Sequence, residues 1–145
     1  MSKENEVKKE YLCQYIRAKK RIDNLKNQLL SLQEVEQSAK SQQLSDMPKG
    51  SSHNGDLSDL MVRIEQLRGK IRKEIENSIK IRTMIEESIF RLQNEDEVSV
   101  LRMKYIEGMG WKEIGAKIHY GRTKIYIIHE NALKNIVIRE KCEQK

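Results

Sequence analysis

Residues 101–136 read LRMKYIEGMGWKEIGAKIHYGRTKIYIIHENALKNI, and this stretch decides the fold of the last third of the chain. Glycines divide it into short helical segments: one stops at Gly108, a second starts at Trp111, and a third starts near Arg122, just after Gly121. Glycine ends a helix readily because it adopts positive φ without strain. Three short helices joined by two tight turns predict a helix-turn-helix unit.

The apolar residues of this stretch recur at helical spacing and predict a small core, in which Gly115 or Ala116 lets two helices cross closely. The expected core residues are Leu101, Tyr105, Trp111, Ile114, Ile118, Ile125, Ile128 and Ala132. The last helix then turns its opposite arc outward as a recognition surface. That arc contains Arg122, Thr123, Tyr126, Ile127 and Glu130.

The positive charge of the chain is concentrated on this unit. Residues 99–139 contain eight Lys or Arg and three Glu, a local net of +5 within a formal total of +6 for the 145 residues. Such a cluster favours a polyanion, and phosphate neutralisation would dominate its affinity for double-stranded DNA. The candidate DNA-binding residues are Arg122, Thr123, Lys124, Tyr126, Ile127, Glu130, Lys112 and Lys134.

The part of the chain before residue 95 has a different pattern. Apolar residues alternate in steps of four and three from Tyr11 to Leu32, which is the heptad pattern of a helix that buries one narrow stripe. The apolar stripe contains Tyr11, Tyr15, Ala18, Ile22, Leu25, Leu29 and Leu32. A second amphipathic helix carries Leu57, Leu60, Ile64, Leu67, Ile71, Ile75, Ile79, Ile85, Ile89 and Leu92, with irregular spacing between Ile75 and Ile81.

A segment rich in helix breakers separates these helices. It holds Pro48, Gly50 and Gly55 and ends at Asp56, which we expect to cap the second helix. We therefore predict an all-α protein with two domains. The first is a long antiparallel, coiled-coil-like helical hairpin over 1–94, with helices at about 5–43 and 57–93 and a loop at 45–56. The second is the helix-turn-helix domain over 95–145.

Composition narrows the function further. Hydrophobic residues make up 37% and charged residues 34% of the chain, which suits long solvated helices better than a large core. Cys13 and Cys142 lack partners at metal-ligand spacing, and we recognise no catalytic arrangement. We expect no enzymatic activity, no cofactor and no bound metal. Without an apolar run long enough for a bilayer or a secretory signal, we expect a cytoplasmic protein without a membrane partner.

The unit resembles the region-4-like helix-turn-helix of sigma-70-type factors, and more closely the small phage and prophage transcriptional regulators built on it. This resemblance is carried by the stretch 101–108, by Trp111-Lys112-Glu113-Ile114 and by the stretch 120–134, and the segments 44–50 and 56–60 extend it to the phage proteins. It implies a regulator of phage or prophage genes, late genes in particular, with RNA polymerase as a second candidate partner. Tyr126 and Ile127 depart from the sigma pattern, which usually carries Arg and Gln there, so an ordinary minus-35 element is not the expected target.

Two alternatives stay open at the level of sequence. A DNA-packaging adaptor of the terminase-small-subunit type also joins a helix-turn-helix to oligomerising helices. A protein whose coiled hairpin docks on a partner without binding DNA would need the same amphipathic stripes. For the hairpin itself we expect a spacer or a homodimer contact in preference to a binding groove.

Overall fold

The protein is all-helical over the residues described by its computed structural model, 2–44 and 52–138, apart from the side chains of 42–44 and 52–55. Five helices follow one another in this part of the chain, which confirms the predicted fold class. They are α1 (Lys3–Leu44), α2 (Ser52–Phe90), α3 (Glu95–Tyr105), α4 (Trp111–Ile118) and α5 (Arg122–Asn135). No helix in the described ranges has a long enough apolar run to cross a membrane.

The boundary between α1 and α2 corrects one prediction. Residues 45–51 of the predicted loop lie outside the described residues, whereas its remainder, 52–56, belongs to α2. Asp56 therefore stands inside the helix and is not its N-cap. Backbone hydrogen bonding continues the helix past Gly55, although glycine lowers helix propensity by about 1 kcal/mol.

Two compact units divide the chain. Among the described residues, the hairpin unit consists of 19–44 and 52–77, and the terminal unit combines 2–18 with 78–138. The segment 95–145, predicted as a domain, thus shares a compact unit with portions of both long helices. Whether that segment folds by itself stays a prediction.

In the hairpin unit, α1 and α2 run antiparallel, as predicted. Arg21 Nε lies 3.6 Å from Glu74 Oε1, and the two residues stand at nearly equal sequence distances from the helix ends at Leu44 and Ser52. The side chains buried in this unit lie on the predicted stripes, namely Ile22 on α1 and Ile64, Leu67 and Ile71 on α2. The remaining faces carry charged side chains, as the heptad pattern requires.

The terminal unit has two apolar clusters. The first joins α1, α2, α3 and α5, and its largest fully buried members are Leu12, Ile85, Ile89, Leu101, Leu133 and Ile136. The second lies among α3, α4 and α5 and consists of Val100, Met103, Met109, Ile114, Ile125 and Ile128, with Ile118 and Tyr120 partly buried against it. The predicted small core is therefore split between two clusters.

The ends of α3 show why this helix begins and stops where it does. Asn94 is its N-cap, and Asn94 Oδ1 accepts hydrogen bonds from the backbone amides of Asp96 at 2.8 Å and Glu97 at 3.2 Å. Beyond its carboxy terminus, Gly108 adopts a left-handed conformation with φ 72°, while the Met109 amide donates to the Met103 carbonyl at 3.0 Å. The predicted role of Gly108 in ending the helix is confirmed.

Candidate nucleic-acid interface

A three-residue turn joins α4 to α5 and sets their crossing. His119 takes a left-handed conformation with φ 61°, and the Tyr120 amide donates to the Gly115 carbonyl at 3.1 Å. A Cβ atom on Gly115 would lie 2.8 Å from the Tyr120 carbonyl oxygen, which is shorter than side chains allow. Gly115 therefore permits a close approach between α4 and the turn that leads into α5, whereas Ala116 is exposed.

The second apolar cluster fixes which face of α5 meets solvent. Ile125 and Ile128 are buried against α3 and α4, so the positions between them point away from the cluster. Tyr126 is 60% exposed and Ile127 is 52% exposed. The predicted recognition residues Arg122, Thr123 and Lys124 are exposed as well.

Glu130 differs from the rest of the predicted outward face. Its side chain is half-buried, and Oε2 is buried without a hydrogen-bond partner among the described residues. Glu130 lies two residues after the buried Ile128, where the exposed arc of the helix turns back toward the protein. It therefore offers much less surface to a ligand than the sequence pattern indicated.

A groove between α4 and α5 brings three predicted site residues together. It encloses about 830 Å³, and Lys112 from α4 shares its lining with Arg122 and Tyr126 from α5. Trp111 and Ile125 supply further apolar surface. The groove thus combines an apolar lining with basic side chains contributed by two helices.

The other predicted basic residues lie outside this groove. Lys124 places Nζ 4.4 Å from the centroid of the Tyr120 ring, a cation–π contact that holds its charge beside the turn. Lys134 is exposed in the last turn of α5, at the opposite end of the helix from Arg122, and its backbone carbonyl accepts from Lys8 Nζ at 3.2 Å.

Tyr120 ties this turn to the start of α3. Its hydroxyl donates to Asp96 Oδ2 at 2.9 Å, and this hydrogen bond raises the pKa of the phenol. Asp96 lies in the first turn of α3, where a carboxylate is favoured by the helix dipole. The bond connects the turn between α4 and α5 to the first turn of α3 through side chains that the sequence pattern did not single out.

Trp111 corrects a second prediction. It is 37% exposed and outside both apolar clusters, although the sequence pattern placed it in the core. Its ring meets the ring of His129 edge-on at 4.7 Å, and Lys104 Nζ lies 4.4 Å from its centroid. The indole of Trp111 therefore packs against the buried His129 and the Lys104 ammonium, and it also lines the groove.

His129 and Tyr105 form a buried polar pair between α5 and α3. The Tyr105 hydroxyl lies 2.8 Å from His129 Nε2, and both side chains are almost fully buried. Burial lowers the pKa of His129 to about 4, with smaller contributions from the charges of Lys9 and Lys104. Burial also raises the pKa of Tyr105, so both groups stay neutral near pH 7.

One exposed residue of α5 was missed by the sequence analysis. Asn131 lies four residues after Ile127, so the two share one stripe of the helix, and both are exposed. An amide side chain pairs well with the N6 and N7 atoms of adenine. The exposed stripe that contains Ile127 could have identified Asn131 by the same spacing.

The described residues contain no group of three or more His, Cys, Asp or Glu side chains arranged to hold a metal ion. The chain matches, over residues 39–137, the family described as "Protein of unknown function (DUF1492)". The chain belongs to this family. The matched region takes in the end of α1 and the whole of α2, α3, α4 and α5, so the family pattern includes all three helices of the carboxy-terminal unit. No curated protein and no solved structure matches the chain.

Proposed function

We propose that this chain is a sequence-specific double-stranded DNA-binding protein that regulates transcription of phage or prophage genes, with α5 as the recognition helix. The observation that carries the proposal is the exposed amino-terminal face of α5, where Arg122, Thr123 and Tyr126 stand outward beside Lys112 of α4. A helix presented in this way, with its first turns outward, fits the major groove of B-form DNA.

Electrostatics support the same surface. Helices α4 and α5 carry five Lys or Arg and two Glu, a net charge of +3, whereas the first turn of α3 is acidic. DNA binding by such a surface releases counterions from the phosphates, so the affinity should fall steeply with salt. The sigma-region-4-like arrangement and a contact with RNA polymerase are parts of this proposal.

A charge-reversal experiment tests it. We expect the full-length chain to bind duplex fragments from the genomic region that encodes it, with an affinity that declines steeply as salt is raised. The double variant Arg122→Glu/Lys124→Glu should bind at least about tenfold more weakly, and its log–log salt slope should decrease by about two. Fluorescence anisotropy over a salt series measures both quantities.

Arg72→Glu/Lys73→Glu is the matched control, because it reverses one exposed arginine and one exposed lysine on α2. It should leave the affinity within about twofold of the wild type. Equal loss in both variants would place the contact elsewhere than α5, and a wild type that binds no fragment would refute the proposal. Footprinting upstream of a promoter distinguishes regulation from a packaging adaptor, which would protect a packaging site.

A further inference from the structure

The exposed face of α5 contains two large apolar side chains in succession. Tyr126 and Ile127 are 60% and 52% exposed, and Tyr126 also lines the groove next to Trp111 and Ile125. Isolated exposed apolar residues are common on protein surfaces, but an adjacent pair that continues into an apolar groove forms a patch suited to a ligand. The occupant of this patch must therefore present apolar groups.

Basic side chains surround the same patch. Lys112 and Arg122 line the groove, and Thr123 and Lys124 are exposed on the preceding turn of α5. The occupant must accordingly combine apolar groups with a high density of negative charge. DNA has this combination in its major groove, where the 5-methyl group of thymine stands among base edges flanked by phosphates.

The chemistry of the two side chains limits what they can recognise. Isoleucine has no hydrogen-bonding group, so Ile127 can discriminate base pairs only through apolar contact. We propose that Ile127 and Tyr126 read thymine 5-methyl groups in the major groove, so that the sites bound by this chain carry thymines facing these two residues. This inference rests on the proposed function and adds the base chemistry that α5 selects.

Replacement of thymine by deoxyuridine tests the inference, since it removes the methyl group and keeps the base pairing. Duplexes that bind the full-length chain are first enriched from a randomised library, and each thymine is then replaced singly. At a contacted position the loss of one buried methyl should weaken binding about fourfold. Ile127→Ala and Tyr126→Ala should each abolish the response at one or two of these positions.

Ile79→Ala is the matched control, because Ile79 is an isoleucine of α2 that is 58% exposed. It should retain the full response to deoxyuridine. A library that yields no enriched sequence would refute both this inference and the sequence specificity of the proposed function. The inference alone is overturned if no thymine position responds or if the response persists in both α5 variants. In those cases salt-dependent binding to DNA would still uphold the proposed function. Absence of any binding at about 50 mM salt would refute both.

Discussion

His129 lies in the middle of α5, a helix with one exposed face and one buried face. It lies on the buried side, with Nε2 2.8 Å from the Tyr105 hydroxyl and its ring roughly perpendicular to that of Trp111. A neutral imidazole can form a hydrogen bond there between Nε2 and the Tyr105 hydroxyl, whereas an imidazolium would be poorly solvated. The free energy of folding is thereby linked to the protonation of this one residue.

We expect the protein to lose stability as the pH falls from about 6.5 to about 4. The pKa of His129 is lowered from 6.5 to about 4 in the folded state. Between these pH values the unfolded chain binds a proton at His129 and the folded chain does not, so protonation favours unfolding. His129 contributes at most about 1.4 kcal/mol per pH unit to the slope of the free energy of unfolding against pH, which is the value for one proton. Urea unfolding at a series of pH values measures it.

His129→Gln should flatten this part of the pH profile, because glutamine does not titrate. The exposed His119 provides the control variant His119→Gln, in which the pH dependence should persist. An unchanged slope in His129→Gln would contradict the assignment of the proton to His129.

Individual side chains were predicted well where burial alone decides their position. Tyr105 and Ile114 are buried as the spacing predicted, and Tyr126 and Ile127 are exposed. Trp111 was wrongly assigned to the core. Periodicity indicates which face of a helix a residue occupies, but it does not show how far along the helix that face is covered by other elements. Pairings such as Tyr120 with Asp96 could not be predicted, since they join elements that are 24 residues apart.

At the scale of elements, the turn between α4 and α5 depends on one position that cannot carry a side chain. We expect Gly115→Ser to destabilise the protein by about 1 to 3 kcal/mol, because the new Cβ would overlap the Tyr120 carbonyl. Gly121→Ser makes the same chemical change at the N-cap of α5, where a Cβ meets nothing within 4 Å. It should be neutral or stabilising by a few tenths of a kcal/mol, because serine caps a helix slightly better than glycine.

Thermal or urea unfolding of both serine variants measures the difference. Comparable stabilities for the two variants would contradict this prediction, because they would show that the backbone at Gly115 and Tyr120 accommodates a side chain without loss of stability. A large loss of stability in Gly121→Ser would contradict the expectation that a side chain is tolerated at this N-cap.

The positions of the helices were predictable because glycines and a heptad pattern mark them. Helices α4 and α5 begin at Trp111 and Arg122, as predicted. The irregular stretch of α2 was resolved only by structure: Ser78 is buried and Ile79 is exposed. The heptad register is therefore kept through a small polar residue, which a search for apolar residues passes over.

For the whole molecule, the first apolar cluster determines which parts of the chain can fold together. We expect a shortened variant, in which a short flexible linker replaces residues 19–77, to keep the helical content and cooperative unfolding of the terminal unit. All of the cluster's members lie in the retained residues. Tyr15 and Arg82 also lie side by side, with the Tyr15 hydroxyl 3.4 Å from the Arg82 guanidinium, so a short linker can span the gap.

The isolated segment 95–145 is the comparison for this experiment. It lacks Leu12, Ile85 and Ile89, which are fully buried in the cluster, and it should unfold without a cooperative transition. Far-UV circular dichroism during heating measures both fragments. Cooperative unfolding of the segment alone would establish it as the independent domain that the sequence predicted.

Leu12 belongs to a core that is completed only by Leu133 and Ile136, so this core cannot form until most of the chain has been synthesised. A ribosome releases the amino-terminal turns of α1 long before the residues that will cover them, so those turns wait while more than a hundred further residues are added. A chain interrupted anywhere before α5 would leave an uncovered apolar surface. The exposed face of α5 is consequently supported by a complete core only after synthesis has passed Ile136.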